Sequence, residues 1–322
     1  MTTNYDLSGK RIWIAGHTGM VGSALIRRLA NEPCSVVTVA RPELDLTRQD
    51  ATERWMREAR PDAIILAAAK VGGIVANTRQ PAEFLYDNLM IGANIMRAAY
   101  ETGVERLIYL GSSCVYPREA GQPIAEDALL SGPLERTNEG YAVAKIACLK
   151  LAEAYAREYG RAFFSAMPTN LYGPNDNFDP LTSHVLPGLI RKIHDAKMTR
   201  QAKVTLWGSG RPLREFLHVD DLADALVLML RRYDGDGPLN IGSGDEISIR
   251  EAAELVADIV GFEGTFVFDP ERPDGTPRKL LDSSCIRALG WQPRIGLRNG
   301  LEELYHRFQQ RPEAFYALRK SA

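Results

Sequence analysis

The stretch Arg11-Ile-Trp-Ile-Ala15, followed by the turn Gly16-His17-Thr18-Gly19-Met20-Val21-Gly22, decides the fold. The apolar run predicts a buried strand, and a helical pattern begins inside the turn and continues to residue 30. In such a turn the first glycine allows the tight bend and the second lets the backbone approach a pyrophosphate. The third lets helix and strand pack closely, and the helix N-terminus offers free N–H groups to phosphates. Residues 16–22 are therefore predicted to bind a dinucleotide, although the spacing is G-x-x-G-x-x-G and not the commoner G-x-G-x-x-G.

Apolar runs alternate with helical patterns throughout the first half of the chain. Strands are predicted at residues 11–15, 35–40, 62–69, 106–111 and 163–167, and helices at residues 21–30, 47–60, 88–102 and 141–159. Continuous apolar strands separated by helices indicate parallel pairing, with both faces of the sheet covered. This pattern predicts the α/β class, with a doubly wound Rossmann-type parallel sheet.

The texture of the sequence changes after residue 170, where loops rich in Gly and Pro separate shorter elements. We predict a nucleotide-binding domain over residues 1–170 and a smaller α/β substrate lobe over residues 171–322. Segments around residues 215–245 are predicted to return to the first domain.

Composition and charge exclude several classes of protein. The 322 residues carry 39 Lys+Arg and 41 Asp+Glu, a formal net charge of −2, and show none of the basic excess of a nucleic-acid partner. The longest fully apolar run, residues 63–69, is too short for a membrane span, and the start lacks signal-peptide order. Scattered cysteines and histidines predict neither a disulfide framework nor a metal site. A cytoplasmic protein acting on a small molecule is expected.

Arg41, at the end of the second predicted strand, bears on the choice of cofactor. Enzymes that use NAD often carry a carboxylate there for the ribose 2′-hydroxyl, whereas a cation suits a 2′-phosphate. Arg41 therefore favours NADP(H). The alternative is a solvated loop arginine with no ligand.

Tyr141 and Lys145 lie four residues apart, on one face of a predicted helix. A nearby ammonium favours the phenolate, so we expect it to lower the pKa of Tyr141 and to make the phenol a useful proton donor. Ser112 follows the fourth predicted strand, where a hydroxyl can hydrogen-bond a reacting carbonyl. Alone, the Tyr/Lys spacing is also typical of an ordinary helix surface.

The glycine turn, the serine cluster and the Tyr/Lys pair, in this order, resemble the extended short-chain dehydrogenase/reductase family over nearly the whole chain. The resemblance implies that Ser112, Tyr141 and Lys145 are catalytic. It also implies further contacts to the cofactor from Leu110, Gly111, Pro168, Asn170, Leu171 and His184, besides Lys145. A homodimer paired through the helices after Asn88 and Tyr141 is common in the family.

Longer motifs at residues 67–77, 112–117, 168–174, 214–221 and 273–282 narrow the resemblance to the family's GDP-sugar 3,5-epimerase/4-reductases. Such an enzyme inverts C3 and C5 beside a 4-keto group and then reduces C4 with NADPH. The resemblance makes Cys114 the base and His184 the acid of the epimerisation. Without it, Cys114 is more readily interpreted as an inert small hydrophobe and His184 as a surface or capping histidine.

The GDP-sugar requires cations for its two phosphates and a slot for its base. Arg214 is the first choice for the pyrophosphate, because a guanidinium binds phosphate bidentately. The resemblance adds contacts from Asn170, Lys192, Trp207 and Asp274. Trp207 alone would also fit a core position. Two departures matter: Thr18 and Lys192 stand where some relatives carry arginine.

Two other functions stay open at this point. A nucleotide-sugar 4-epimerase or 4,6-dehydratase would use the same fold, but a dehydratase is expected to show an acidic pair where Ser113-Cys114 stands. A non-catalytic NADP-binding regulator would be expected to lose some of the five catalytic candidates, and all are present.

Overall fold

A parallel sheet of six strands forms the centre of the computed structural model, which describes residues 4–180, 182–271 and 274–310. The strands of the described residues, six of which form this sheet, are β1 (Arg11–Ala15), β2 (Ser35–Val37), β3 (Ala63–Leu66), β4 (Arg106–Leu110), β5 (Ala162–Pro168), β6 (Asn170–Tyr172), β7 (Lys203–Trp207), β8 (Leu213–His218), β9 (Pro238–Ile241), β10 (Glu246–Ser248), β11 (Thr265–Asp269) and β12 (Arg278–Lys279). The central sheet has the order β2-β1-β3-β4-β5-β9, and every adjacent pair is parallel. The predicted fold class is confirmed.

Helices cover both faces of this sheet. The helices of the described residues are α1 (Met20–Leu29), α2 (Gln49–Ala59), α3 (Ile74–Arg79), α4 (Pro81–Thr102), α5 (Glu139–Tyr159), α6 (Val185–Met198), α7 (Val219–Arg232), α8 (Ile249–Val260), α9 (Ser284–Ala288) and α10 (Leu297–Gln310). α1 and α7 pack on one face, and α2, α4 and α5 pack on the other. The strand side chains alternate between the two faces of the sheet. Ile65 therefore lies in the first apolar core, under α1 and α7, and Ile64 lies in the second, under α2, α4 and α5.

Some predicted boundaries are wrong for local reasons. β3 ends at Leu66, and the small residues after it leave the sheet to pass close to Gly16. β2 ends at Val37 and not at residue 40. α4 begins at Pro81, earlier than predicted, because proline is tolerated at the first helical position.

The second sheet is built around β8, which pairs with β10 antiparallel and with β6 and β12 parallel. β7 and β11 form a separate parallel pair. A third apolar core lies under α6, α8 and α10, where Phe178 and Phe308 stack with ring centroids 5.0 Å apart.

After β8 of the second sheet, the chain returns to the central sheet before it forms β10. α7 packs on α1, and Arg28 Nε pairs with Asp224 Oδ1 at 2.8 Å across that contact. β9 then becomes the edge strand beside β5. Further along the chain, Ile286 and Trp291 complete the same core. Among the described residues, no helix has the length and apolar character needed to span a bilayer.

Candidate active site

The glycine turn joins β1 to α1 in a tightly packed corner. Gly16 has φ +87°, and a Cβ added there would lie 2.7 Å from the backbone nitrogen of Ala68. A Cβ on Gly22 would lie 2.2 Å from the carbonyl oxygen of Gly16, so close packing excludes a side chain at both positions. Val21 is buried in the core, whereas His17 is half-buried and Thr18 is exposed.

Gly19 differs from the other two glycines because its outer face is open. Within 4 Å, an added Cβ would meet only the Gly16 carbonyl oxygen, at 3.4 Å. Gly19 is the N-cap of α1 and makes no side-chain cap. The N–H groups of the first helical turn therefore face open space that can accept the phosphates of a dinucleotide.

Arg41 is exposed in the turn after β2. It lies near Asp45, whose pKa is lowered by hydrogen bonds from Thr47 and, to a smaller extent, by Arg48 and Arg41. A cation at this end of β2 fits the 2′-phosphate of NADP(H).

Ser112 and Cys114 lie just beyond β4. Ser112 caps a short 3-10 turn over Ser113–Val115, and the Cys114 N–H donates to Ser112 Oγ at 3.4 Å. Cys114 is buried. The turn thus holds a hydroxyl and a thiol side by side at the carboxyl edge of the sheet, where ligands of such folds bind.

Lys145 connects this turn to Tyr141 on α5. Its side chain is 3% exposed, and Nζ donates to the Leu110 carbonyl oxygen at 2.7 Å. The same Nζ lies 4.7 Å from the ring centroid of Tyr109 and 5.6 Å from that of Tyr141. Burial lowers the pKa of Lys145 to about 8, so the ammonium still predominates at neutral pH.

Desolvation also sets the state of the two candidate acid–base groups. Burial raises the pKa of Tyr141, and the neighbouring Cys114 raises it further. The expected net lowering of this pKa is wrong, because desolvation of the phenol is the largest cause of the shift and raises it. Burial likewise raises the pKa of Cys114, although Lys279, the Ser112 hydroxyl and Lys145 oppose it. Both groups are therefore protonated at neutral pH.

Lys279 is a site residue that the sequence analysis missed. It lies on β12 directly opposite Arg214 on β8. Burial lowers the pKa of Lys279, and the Arg214 charge lowers it further. Burial also lowers the pKa of Arg214, against the effect of Asp274. Two adjacent cations on paired strands suit an anion, and the charge of Lys279 also acts on Cys114.

The remaining substrate candidates lie around β7 and β8. Trp207 is 53% exposed, which rules out the core position. Asp274 lies beside it and accepts from the Ser209 N–H at 2.6 Å and from its hydroxyl at 2.8 Å. Lys192 is exposed on α6, and its Nζ donates to the Thr205 carbonyl at 2.9 Å. Pro273, the first residue of its motif, lies outside the described residues.

Asn170 and His184 lie on different elements. Asn170, on β6, donates from Nδ2 to the Glu215 carbonyl at 2.9 Å. His184 is exposed at the N-cap of α6. The residue before it approaches the loop after β3, with the Ser183 oxygen 3.4 Å from a Cβ added at Gly73. Ser112, Cys114, Tyr141 and Lys145 are brought together, whereas the role of His184 as an acid stays a prediction.

Comparison with known proteins gives this geometry a family. Residues 12–242 match the model of the NAD dependent epimerase/dehydratase family. The chain belongs to this family. The matched residues contain the glycine turn, Ser112, Cys114, Tyr141 and Lys145, which are the parts of the site described above.

Members of the NAD dependent epimerase/dehydratase family with similar sequences include two GDP-L-fucose synthases. The protein from Sinorhizobium fredii is 55% identical over 304 residues, covering 94% of this chain and 97% of its own. GDP-L-fucose synthase 1 from Arabidopsis thaliana is 55% identical over 301 residues, covering 93% of both chains. A GDP-L-fucose synthetase from Naegleria fowleri, solved bound to NADP, is 30% identical with a TM-score of 0.87 over 97% of this chain and 98% of its own.

Proposed function

We propose that this protein converts GDP-4-keto-6-deoxy-D-mannose to GDP-L-fucose by epimerising C3 and C5 and reducing C4 with NADPH. The observation that carries the proposal is the position of the Cys114 thiol, one short turn from Ser112 and beside the Tyr141/Lys145 pair. A reductase alone needs no acid–base thiol at this place. The names of the similar proteins support the same substrate class.

The reduction uses residues at the carboxyl edge of the sheet. NADPH supplies a hydride to C4, and the open face of Gly19 together with Arg41 would hold its phosphates. Ser112 hydrogen-bonds the C4 oxygen, and the Tyr141 phenol gives its proton to the oxyanion that forms there. Lys145, fixed by the Leu110 carbonyl, stabilises the phenolate left behind.

The epimerisations use the acidity of C3 and C5 beside the 4-keto group. At C3 and at C5, the Cys114 thiolate removes the proton from one face of the carbon, and His184 donates a proton to the opposite face. A cysteine suits this task because its pKa is within tuning reach of neutrality. Arg214 and Lys279 bind the pyrophosphate and so hold the sugar beside Cys114.

The direct test is to incubate the purified protein with NADPH and GDP-4-keto-6-deoxy-D-mannose in D2O. We expect NADPH oxidation, a GDP-L-fucose product and deuterium at C3 and C5. Reduction without inversion at these carbons, or no NADPH oxidation, contradicts the proposal. The measurements are absorbance at the NADPH band and proton NMR of the product.

Two variants separate the half-reactions. Tyr141→Phe is expected to lower the rate of NADPH oxidation by about 10²-fold or more, because a positioned proton donor is lost. Deuterium exchange at C3 and C5 is expected to continue in this variant. Cys114→Ser is expected to suppress exchange at C3 and C5. Cys285→Ser is the matched control, because this thiol is exposed on α9. Exchange at the wild-type rate in Cys114→Ser contradicts its role as base.

We further propose a homodimer paired through α4 and α5, which pack closely against each other. Their outer surface carries Tyr86 and Val143, two apolar side chains that are exposed in one copy of the chain. Val143→Glu, at a side chain 42% exposed, is expected to yield monomers in analytical ultracentrifugation, whereas Val267→Glu, at 44%, leaves the dimer intact. A dimer that survives Val143→Glu excludes this interface.

We propose a cytoplasmic location on chemical grounds. The cysteines Cys34, Cys114, Cys148 and Cys285 are all free thiols. A protein that depends on a reduced Cys114 is suited to a reducing compartment. Labelling the free thiols in intact and permeabilised cells tests this location.

A further inference from the structure

Glu215 is a fully buried carboxylate that the proposed reaction does not use. Its exposed fraction is 0%, and it lies on β8 next to Arg214. Oε1 accepts from the Gly244 N–H at 2.7 Å, and Oε2 accepts from the Leu281 N–H at 3.1 Å. Within the described ranges no cation lies within 4 Å of the carboxylate, so backbone donors replace an ion pair.

The surrounding chain is shaped to admit this carboxylate. A Cβ added at Gly242 would lie 2.2 Å from Glu215 Oε1 and 2.8 Å from Oε2, so a side chain at residue 242 would displace the carboxylate. The Glu215 backbone oxygen also accepts two bonds, from Thr169 Oγ1 at 3.2 Å and from Asn170 Nδ2 at 2.9 Å. One residue thus joins the end of β5, the start of β6, the loop after β9 and the end of β12.

These segments carry the groups that would hold the GDP-sugar. Arg214 precedes Glu215 on β8, and Lys279 lies two residues before Leu281, whose N–H binds the carboxylate. Asn170 Nδ2 donates to the backbone carbonyl of Glu215 and not to its side chain. We propose that Glu215 is a positioning residue, whose carboxylate sets the spacing of Arg214 and Lys279 around the sugar nucleotide. This inference rests on the proposed function for the identity of the substrate.

The hydrogen bonds at this position favour two acceptor oxygens over an amide, although burial raises the pKa of Glu215 against the effect of the Gly244 and Leu281 N–H groups. Two backbone N–H groups reach the two side-chain oxygens, and a carboxylate accepts both. A glutamine has one oxygen, so its amide nitrogen would meet the second N–H donor to donor. Burial of an anion costs free energy unless it is hydrogen-bonded. Here the bonds from Gly244 and Leu281 also tie the loop after β9 and the segment after β12 to β8.

The test compares Glu215→Gln with wild type in steady-state kinetics. The KM for the sugar nucleotide is expected to rise about tenfold, the size expected when one charge-assisted hydrogen bond is lost. The KM for NADPH stays within about twofold, because the glycine turn and Arg41 lie on other elements. Hydrogen exchange is expected to quicken in peptides over residues 242–246 and 279–283.

Two further variants keep the result interpretable. Gly242→Ala displaces the carboxylate without removing its charge, and its KM for the sugar nucleotide is expected to rise in the same direction. Glu246→Gln is the matched control, because Glu246 lies opposite Glu215 on β10 but pairs at the surface with Arg278. Its two KM values are expected to equal those of wild type.

An unchanged sugar-nucleotide KM in Glu215→Gln overturns the inference. Equal rises in both KM values, together with a lower unfolding temperature, also overturn it, because they indicate a purely structural role. If the wild type does not turn over the substrate, the proposed function fails. The peptide over residues 279–283 then decides the inference alone: unchanged exchange there in Glu215→Gln rejects it.

Discussion

At the scale of single residues, desolvation is the largest influence on the candidate acids and bases. Burial raises the pKa of Tyr141 and of Cys114 and lowers that of Lys145. Each shift favours the neutral form, as low-dielectric surroundings require. Tyr141 is therefore a phenol with a proton to donate, and Cys114 would have to lose a proton before it could serve as the proposed base.

The charge of Lys279 is expected to control that step. Among the groups that oppose the raised pKa of Cys114, Lys279 has the largest effect. Lys279→Met removes the cation, so the thiol pKa is expected to rise further. The alkylation of Cys114 by iodoacetamide, followed by mass spectrometry at a series of pH values, measures the midpoint without any substrate.

Arg278→Gln provides the comparison for this experiment. Arg278 is the neighbouring cation on β12, but it pairs with Glu246 at 2.8 Å. The Cys114 midpoint is expected to stay at its wild-type pH in this variant. An unshifted midpoint in Lys279→Met would show that the thiol does not sense this charge.

The sequence identified the residues that act through local spacing and missed those that act across strands. Tyr141 and Lys145 share a helix face whatever the fold around them, so their proximity was predictable. Lys279 meets Cys114 only through the pairing of β12 with β8. The sign of the Tyr141 pKa shift was mispredicted because burial depends on the packed structure.

At the scale of elements, the glycine turn separates two requirements that look identical in the sequence. Gly22 is needed by the contact with Gly16, whereas Gly19 has φ −75° and an open outer face. Gly22→Ala is expected to lower the free energy of unfolding by about 1–3 kcal/mol through overpacking. Gly19→Ala is expected to fold normally and to weaken NADPH binding about tenfold.

Thermal unfolding and a fluorescence titration with NADPH distinguish the two variants. Each serves as the control for the other, because the change is the same methyl group three residues apart. A Gly19→Ala protein that binds NADPH like wild type would show that the phosphates do not approach this glycine.

Elements of the central sheet were predicted more accurately than those of the second sheet. β4 and β5 are continuous apolar runs, which the sequence displays directly. β6, β10 and β12 have only three, three and two residues, and partners distant in the chain define them. Such short strands carry little periodicity of their own.

At the scale of the whole molecule, the chain passes repeatedly between the central sheet and the second sheet around β8. Residues 1–170 lack both α7, which covers α1, and β9, which pairs with β5. A fragment of these residues is therefore expected to expose the first apolar core and to unfold without cooperativity. Circular dichroism during heating checks this, and a cooperative transition together with NADPH binding would contradict it.

The return of α7 and β9 to the central sheet also limits how new specificity can be acquired. The part proposed to hold the sugar nucleotide consists of two separate stretches, one from β6 to β8 and the other from β10 to β12. Exchanging it as a block requires four junctions that must all match in geometry. Single substitutions require no new junction, so laboratory evolution of other sugar specificities is best directed to positions around Trp207, Arg214 and Lys279.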